Sequence, residues 1–100
     1  MTRLLLPLWM LAMPAFGGEI PAERQTVLRD LLKQDCGACH GLTLKGGMGP
    51  PLLPETLTGK ADELLVDTIL NGRKGTAMPP WRPFMTPDEA LWLVGELKGR

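Results

Sequence analysis

Cys36-Gly37-Ala38-Cys39-His40 contains both cysteines and the single histidine of this 100-residue chain. The spacing Cys-x-x-Cys-His is typical of a site to which haem is attached covalently. Two thiols three positions apart reach the two vinyl groups of one porphyrin, and the imidazole that follows is then placed to bind the iron. The motif therefore predicts one covalently attached haem c, anchored at Cys36 and Cys39, with His40 as the proximal iron ligand.

A Cys-x-x-Cys pair is also the active site of thiol-disulfide oxidoreductases. That class does not require a histidine directly after the second cysteine, and its motif usually lies between a strand and a helix of an α/β chain. The present sequence has no clear strand pattern. We favour the haem site and keep a haem-free dithiol as the alternative.

Residues 1–17 have the pattern of a secretory signal peptide. A basic start at Thr2-Arg3 precedes an apolar run over residues 4–13, and Ala15-Phe16-Gly17 offers small residues where a signal peptidase reads the chain. The apolar run is shorter than the roughly 20 residues that a membrane-spanning helix needs. We therefore expect cleavage after Gly17, a periplasmic location, no stable membrane insertion and one haem-binding domain over residues 18–100.

The charge balance argues against a nucleic-acid partner. The chain has 11 basic and 11 acidic side chains, which gives a formal net charge of zero, and it contains no basic run. A domain of this size buries little apolar surface and commonly relies on a disulfide, a metal or another covalent link for stability. Since both cysteines belong to the haem motif, we expect the porphyrin to supply that stability.

Hydrophobic periodicity predicts an all-α fold with three main helices. The first is expected over residues 21–34 and the second over residues 61–70, ending at Asn71-Gly72. The apolar faces of these two helices consist of Val27, Leu28, Leu31 and Leu32 in the first, and Leu64, Leu65 and Ile69 in the second. The first helix leads directly into the cysteine motif.

The start of the third helix has the clearest local signal. Thr86 is placed as the N-cap, Pro87 as the first helical residue and Glu89 as the partner that completes a capping box. The helix is expected to reach Lys98, with Ala90, Leu93, Val94 and Leu97 on its buried face. Irregular loops are expected over residues 41–59 and 72–84. The leucines of the first loop, Leu44, Leu52, Leu53 and Leu57, are expected to lie against a haem face.

The sixth iron ligand has three candidates, because no second histidine exists. Met78 is followed by two prolines that stiffen the chain around a weak thioether ligand. Met48 lies close to His40 in the chain and does not easily reach the opposite haem face. Met85 directly precedes the capping box and is expected to pack against the third helix. The pattern therefore favours Met78, although isolated methionines usually fill gaps in a core.

Over nearly all of residues 18–100 the chain resembles class I cytochrome c. The matching features are the haem motif, Gly49-Pro50-Pro51-Leu52, Met78-Pro79 and the succession of helices. The resemblance implies that the carbonyl of Pro50 accepts a hydrogen bond from the haem histidine, which fixes the ring and raises its basicity. Two features depart from the family pattern: the interval between His40 and Met78 is short, and Glu96 replaces a common aromatic residue. Trp92, one turn earlier, is a candidate substitute.

Three further stretches resemble cytochrome c-55X, a small cytochrome of the denitrification nitrite reductase gene cluster. They are residues 35–47, Thr68-Ile69-Leu70-Asn71-Gly72-Arg73 and Met78-Pro79-Pro80-Trp81. This resemblance implies redox partner proteins, either cytochrome cd1 nitrite reductase or the proteins that mature haem d1. The expected function is single-electron transfer, not catalysis. The alternatives are a haem enzyme or gas-binding protein with an open iron site, and the haem-free dithiol protein.

The surface near Met78 offers two pairs of residues with alternative roles. Arg73 and Lys74 either form a basic rim that guides an acidic partner or interact with the dipole at the end of the second helix. Trp81 and Phe84 are expected to pack beside the haem and exclude water from the iron.

Overall fold

The computed structural model describes residues 19–100, and over this range the chain is helical without a β-strand. The all-α prediction is therefore confirmed. Within the same range, no helix is long and apolar enough to cross a bilayer. The predicted signal peptide at residues 1–17 lies outside the described residues, and the domain limits stay a prediction.

The first helical run carries the cysteine motif. It consists of α1 (Ala22–Leu31), a π-helical turn (Leu32–Cys36) and α2 (Gly37–His40), which follow one another without a break. The start just after Pro21 agrees with the sequence, but the predicted end near residue 34 was too early. Gly37 N–H donates to the carbonyl of Leu32, five residues back, and this wider turn shifts the register of the residues that follow.

Two helices lie between the haem motif and the Met78 region. The short helix α3 (Pro54–Leu57) interrupts a segment that was expected to be wholly irregular, and Pro54 begins it because proline suits the first helical position. Helix α4 (Asp62–Asn71) begins and ends one residue later than predicted. It stops at Gly72, whose φ of 71° continues no right-handed helix.

The last helix, α5 (Pro87–Leu97), follows a 3-10 turn at Arg82–Phe84. The predicted capping box is present: Glu89 N–H donates to Thr86 Oγ1 at 3.1 Å, and Thr86 N–H donates to Glu89 Oε1 at 3.0 Å. All four residues predicted for the buried face of α5 are buried. This helix therefore forms as the sequence indicates.

The core lies where α5 packs against α1 and α4. Its buried members are Leu28, Leu70, Met85, Ala90 and Leu93. Met85 packs within this cluster, as expected from its position before the capping box. Two assignments of apolar faces were wrong: Val27 of α1 is 49% exposed, and in α4 it is Leu70, not Leu64, that is buried.

The contact between α1 and α5 contains an ion pair where the resemblance to class I cytochrome c predicts contact between aromatic side chains. The Arg29 guanidinium lies 5.0 Å from the centroid of the Trp92 ring, and its Nε donates to Glu96 Oε1 at 2.8 Å. Trp92 also packs against the core cluster. Glu96 thus contributes an ion pair at a position where the resemblance led us to expect an aromatic side chain, and Trp92 supplies the aromatic surface.

Candidate functional site

A cavity of about 810 Å³ lies beside the core. Cys36, Cys39, His40 and Met78 all contribute to its wall, together with Pro50. The volume falls within the range of roughly 300–1,000 Å³ that is usual for ligand and cofactor sites. The structure thus brings together in one cavity every site residue predicted from the sequence.

The chain folds back on the end of α2 directly after the motif. Gly46 N–H donates to the His40 carbonyl at 2.8 Å, and Gly49 N–H donates to the Cys39 carbonyl at 2.7 Å. These bonds satisfy carbonyls that a helix end leaves without partners. The reversal begins at Gly41, with a φ of 94°, where a Cβ would lie only 2.6 Å from the Gly46 carbonyl oxygen. Glycine is therefore required at this position.

His40 is held by the segment that this reversal delivers. Its Nδ1 lies 2.6 Å from the carbonyl oxygen of Pro50, and the residue is 9% exposed. Because a carbonyl only accepts, Nδ1 carries the proton and donates, and Nε2 keeps a free lone pair. A Cβ at Gly49 would lie 2.8 Å from Cε1 of the ring, so the glycine backbone packs directly against the imidazole.

The two cysteines are half-buried. Burial, with smaller contributions from the charge of Asp35 and from Cys39, raises the pKa of the Cys36 thiol to about 11. A redox-active dithiol needs the opposite environment, in which the attacking thiol has a lowered pKa and is largely ionised near neutral pH. The surroundings of Cys36 therefore argue against the haem-free dithiol alternative.

The three candidate methionines all line the cavity, but in different settings. Met78 is half-buried in the segment between α4 and the 3-10 turn. Met85 is 6% exposed and is committed to the core. Met48 is 80% exposed and directly precedes Gly49, which packs against the His40 ring. Met48 is thus tied to the His40 side, and Met78 is the candidate that comes from a separate part of the chain.

The rest of the wall is mainly apolar, with a few charged residues. Leu52, Leu57 and Trp81 contribute to it as expected, whereas Leu44, Leu53 and Phe84 do not. Phe84 is 59% exposed, and its ring lies 5.6 Å from that of Trp81, so it covers Trp81 from outside. The charged residues of the wall are Asp35, Lys60 and Arg73. Lys74 is not among them, so only Arg73 of the two residues expected to form a basic rim lines the cavity.

This set of residues fits a covalently attached haem. Two thiols, one imidazole with an available Nε2 and one thioether line the same apolar cavity. These are the side chains that hold haem c. Lys60 and Arg73 are the cations of the wall, and they would be available to pair with the carboxylates of a bound haem.

Comparison with known proteins gives the family. The profile of the family described as cytochrome c oxidase, cbb3-type, subunit III matches residues 23–95. Cytochrome c55X of Paracoccus denitrificans (strain Pd 1222) is 50% identical over 97 residues, which cover 97% of this chain and 94% of that protein. The chain belongs to the cytochrome c55X family. The recognition of this family from sequence is therefore confirmed, and with it the prediction of haem c as the cofactor.

Solved structures agree with membership of the cytochrome c55X family. The c-type cytochrome NirC superposes with a TM-score of 0.78 at 56% identity, over 79% of this chain and 93% of that one. A domain of the dihydro-heme d1 dehydrogenase NirN, solved in complex with DHE, superposes with a TM-score of 0.64 at 37% identity. The match with NirN covers 70% of this chain but only 15% of that larger protein.

The sequence did not reveal several contacts that shape the site. Gly49 and Gly72 each press their backbone against another part of the site, His40 and the Met78 carbonyl respectively. Asn71 and Arg82 are joined by hydrogen bonds near Met78. The glycines carried a visible signal, since Gly49 directly precedes Pro50 and Gly72 ends the predicted second helix. The pairing of Asn71 with Arg82 joins the end of a helix to the far side of a loop, and no local pattern marks it.

Proposed function

We propose that this cytochrome is a periplasmic carrier of single electrons. Cys36 and Cys39 anchor haem c through thioether bonds, His40 and Met78 are the axial ligands of its iron, and Pro50 orients His40. The proposal rests on one observation above all: these five residues, which come from three separate parts of the chain, line the same cavity.

Each of these residues has a defined task in electron transfer. Haem c, when bound, supplies a one-electron iron couple. The Pro50 carbonyl fixes the tautomer and orientation of His40, which leaves Nε2 without a proton and able to bind the iron. Met78 would supply the second protein ligand to the iron, and this ligand would exclude substrates from the metal. A protein with both positions filled by its own side chains is suited to carrying electrons, not to catalysis.

The partner that we propose belongs to nitrite respiration. Membership of the cytochrome c55X family supports this proposal, as does the similar domain in a protein named dihydro-heme d1 dehydrogenase. We expect the cytochrome to donate electrons to cytochrome cd1 nitrite reductase or to exchange them with proteins that mature haem d1.

Two measurements test the cofactor and its ligands. Acid-acetone extraction of the denatured protein should leave the haem attached, and loss of haem would remove the thioether bonds from the proposal. The visible spectrum of the protein exported to the periplasm should be that of a low-spin c-type haem with a weak Met–iron band. A high-spin spectrum would favour the open iron site, and no haem absorption would favour the dithiol protein.

Stopped-flow mixing tests the partner. The reduced cytochrome should be oxidised rapidly by cytochrome cd1 nitrite reductase or by an enzyme of haem d1 maturation. Absence of transfer to every protein of this pathway would reduce the proposal to a generic electron carrier. The mass of the protein purified from the periplasm tests export, because cleavage after Gly17 leaves a chain that begins at Gly18.

A further inference from the structure

The segment that carries Met78 is fastened at both ends to the last residues of α4. We call residues 72–81 the Met78 segment. At its start, Gly72 N–H donates to the Thr68 carbonyl at 2.9 Å, and Arg73 N–H closes a turn within the segment by donating to the Met78 carbonyl at 3.2 Å. At its end, Trp81 N–H donates to the Ile69 carbonyl at 3.0 Å. The position of Met78 is therefore set by one helix end.

The backbone of the segment also lies directly on Gly72. This residue has a φ of 71°, and a Cβ there would lie 2.6 Å from the Met78 carbonyl oxygen and 2.8 Å from the Pro79 carbonyl carbon. Within the segment, the Thr76 hydroxyl donates to the Arg73 carbonyl at 2.7 Å and accepts from Met78 N–H at 3.2 Å. Close packing at the start of the segment thus leaves the turn to Met78 little freedom.

The end of the segment has fewer backbone bonds available to it. Pro79 and Pro80 have no N–H group and donate no hydrogen bond. Immediately beyond the segment, Arg82 Nε and Nη2 both donate to Asn71 Oδ1, at 3.1 and 2.9 Å. Asn71 Nδ2 in turn donates to Asp67 Oδ1 at 2.6 Å. We call the contact between Arg82 and Asn71 the Asn71–Arg82 bridge.

We infer that the Asn71–Arg82 bridge is a positioning device that controls how often Met78 leaves the haem iron. The inference rests on the proposed function, in which Met78 is the sixth ligand. Departure of a loop ligand is a local opening whose free energy depends on the few bonds that fasten the loop. The two prolines donate none, so the exit of the segment is held to α4 by the Trp81–Ile69 backbone bond and by the bridge.

Imidazole binding to the ferric cytochrome measures this opening. Imidazole reaches the iron only when Met78 has left, so its apparent affinity reports the population of the open state. Asn71→Ala and Arg82→Ala should each raise the apparent affinity about three- to tenfold, the effect of losing one net hydrogen bond. The double variant should bind no more tightly than the stronger single variant, because both changes remove the same contact.

Matched variants separate positioning from general stability. Arg29→Ala breaks an exposed ion pair of similar length, 2.8 Å to Glu96, that joins α1 to α5 and involves no residue of α4 or of the Met78 segment, and it should leave imidazole affinity unchanged. Arg82→Lys keeps the charge but loses the two-pronged donor, and should fall between the wild type and Arg82→Ala. Denaturant unfolding of each holoprotein shows whether a variant lost global stability instead.

The outcomes distinguish this inference from the proposed function. A wild-type protein without a Met–iron band would overturn Met78 as the ligand and the inference with it. A wild-type protein with that band, but with unchanged imidazole affinity in both single variants, would overturn the bridge alone. Additive effects of the two changes would also overturn it, because residues that act through one contact are not additive.

Discussion

His40 Nδ1 lies 2.6 Å from the carbonyl oxygen of Pro50, and the backbone of Gly49, the preceding residue, packs against the His40 ring. The contact depends on a backbone bond, because Gly49 N–H donates to the Cys39 carbonyl at 2.7 Å and so places the next carbonyl beside the ring. The proposed iron ligand His40 and the residue that orients it are thus held by one tight reversal of the chain.

We predict that Gly49→Ala raises the reduction potential. The new Cβ would lie 2.8 Å from Cε1 of His40 and push the ring away from Pro50. A weaker hydrogen bond makes the imidazole a poorer donor and destabilises the ferric state. A net loss of about 0.5–1.5 kcal/mol corresponds to about 20–60 mV for one electron.

A redox titration measures this shift, and Gly95→Ala is the matched control. Nothing lies within 4 Å of a Cβ at Gly95, which is inside α5. That variant should keep the wild-type potential and gain about 0.5–1 kcal/mol of stability, because alanine favours a helix over glycine. Equal potentials for the Gly49 variant and the wild type would contradict the proposed role of the contact.

Replacement of Met78 tests the sixth ligand. Met78→Ala should convert the haem to high spin or open it to external ligands, and should lower the potential within the span of about 0.8 V that axial ligands cover. Met48→Ala should change neither property, because Met48 is 80% exposed and lies beside the His40 loop. If the Met78 variant keeps its spectrum and potential, the ligand is Met48 or Met85.

Acid should weaken the attachment of the C-terminus to α4. Asp62 accepts from Lys98 Nζ and Arg100 Nη1, each at 2.8 Å, and these hydrogen bonds hold the pKa of its carboxyl below the ordinary value. The resulting stability is present above the ordinary pKa of about 3.9 and is lost as the pH falls below it. Thermal melts should show Asp62→Asn less stable than wild type near neutral pH, with the difference shrinking below about pH 4. A constant difference would contradict this assignment.

The different positions of Arg73 and Lys74 predict that charge reversal at these two residues slows docking to unequal extents. Arg73 lines the cavity and Lys74 does not. If partners approach the cavity mouth, Arg73→Glu should slow association with nitrite reductase by roughly two- to fivefold at low salt, and Lys74→Glu should slow it less. Added salt should reduce the difference. Rapid transfer that is insensitive to salt and to both changes would exclude steering by these cations.

Sequence predicted best where the signal was local. The capping box of Thr86 and Glu89 involves residues three positions apart, and the pattern alone located both of its hydrogen bonds. The π-helical turn at Leu32–Cys36 carried no such signal, because periodicity assumes the ordinary helical register. Phe84 was misplaced for another reason: an aromatic residue near a ligand loop indicates an apolar environment, but not which side of Trp81 it covers.

The candidate site divides in the same way. Cys36, Cys39 and His40 were predicted from a five-residue motif, and Pro50 required the resemblance to a family. The Asn71–Arg82 bridge was missed because it joins residues eleven positions apart through exposed side chains. Pairing between polar groups that are far apart in the chain produces no periodic pattern in the sequence, so it becomes visible only in the folded structure.

The cavity beside the core also has a consequence for the life of the protein in the cell. Its walls are largely apolar, and the buried cluster next to it is small. A chain without its cofactor lacks the packing contacts that would fill this space, so it is less stable and a larger unfolded fraction is open to proteases. We therefore expect the amount of protein that survives in the cell to follow the supply of haem.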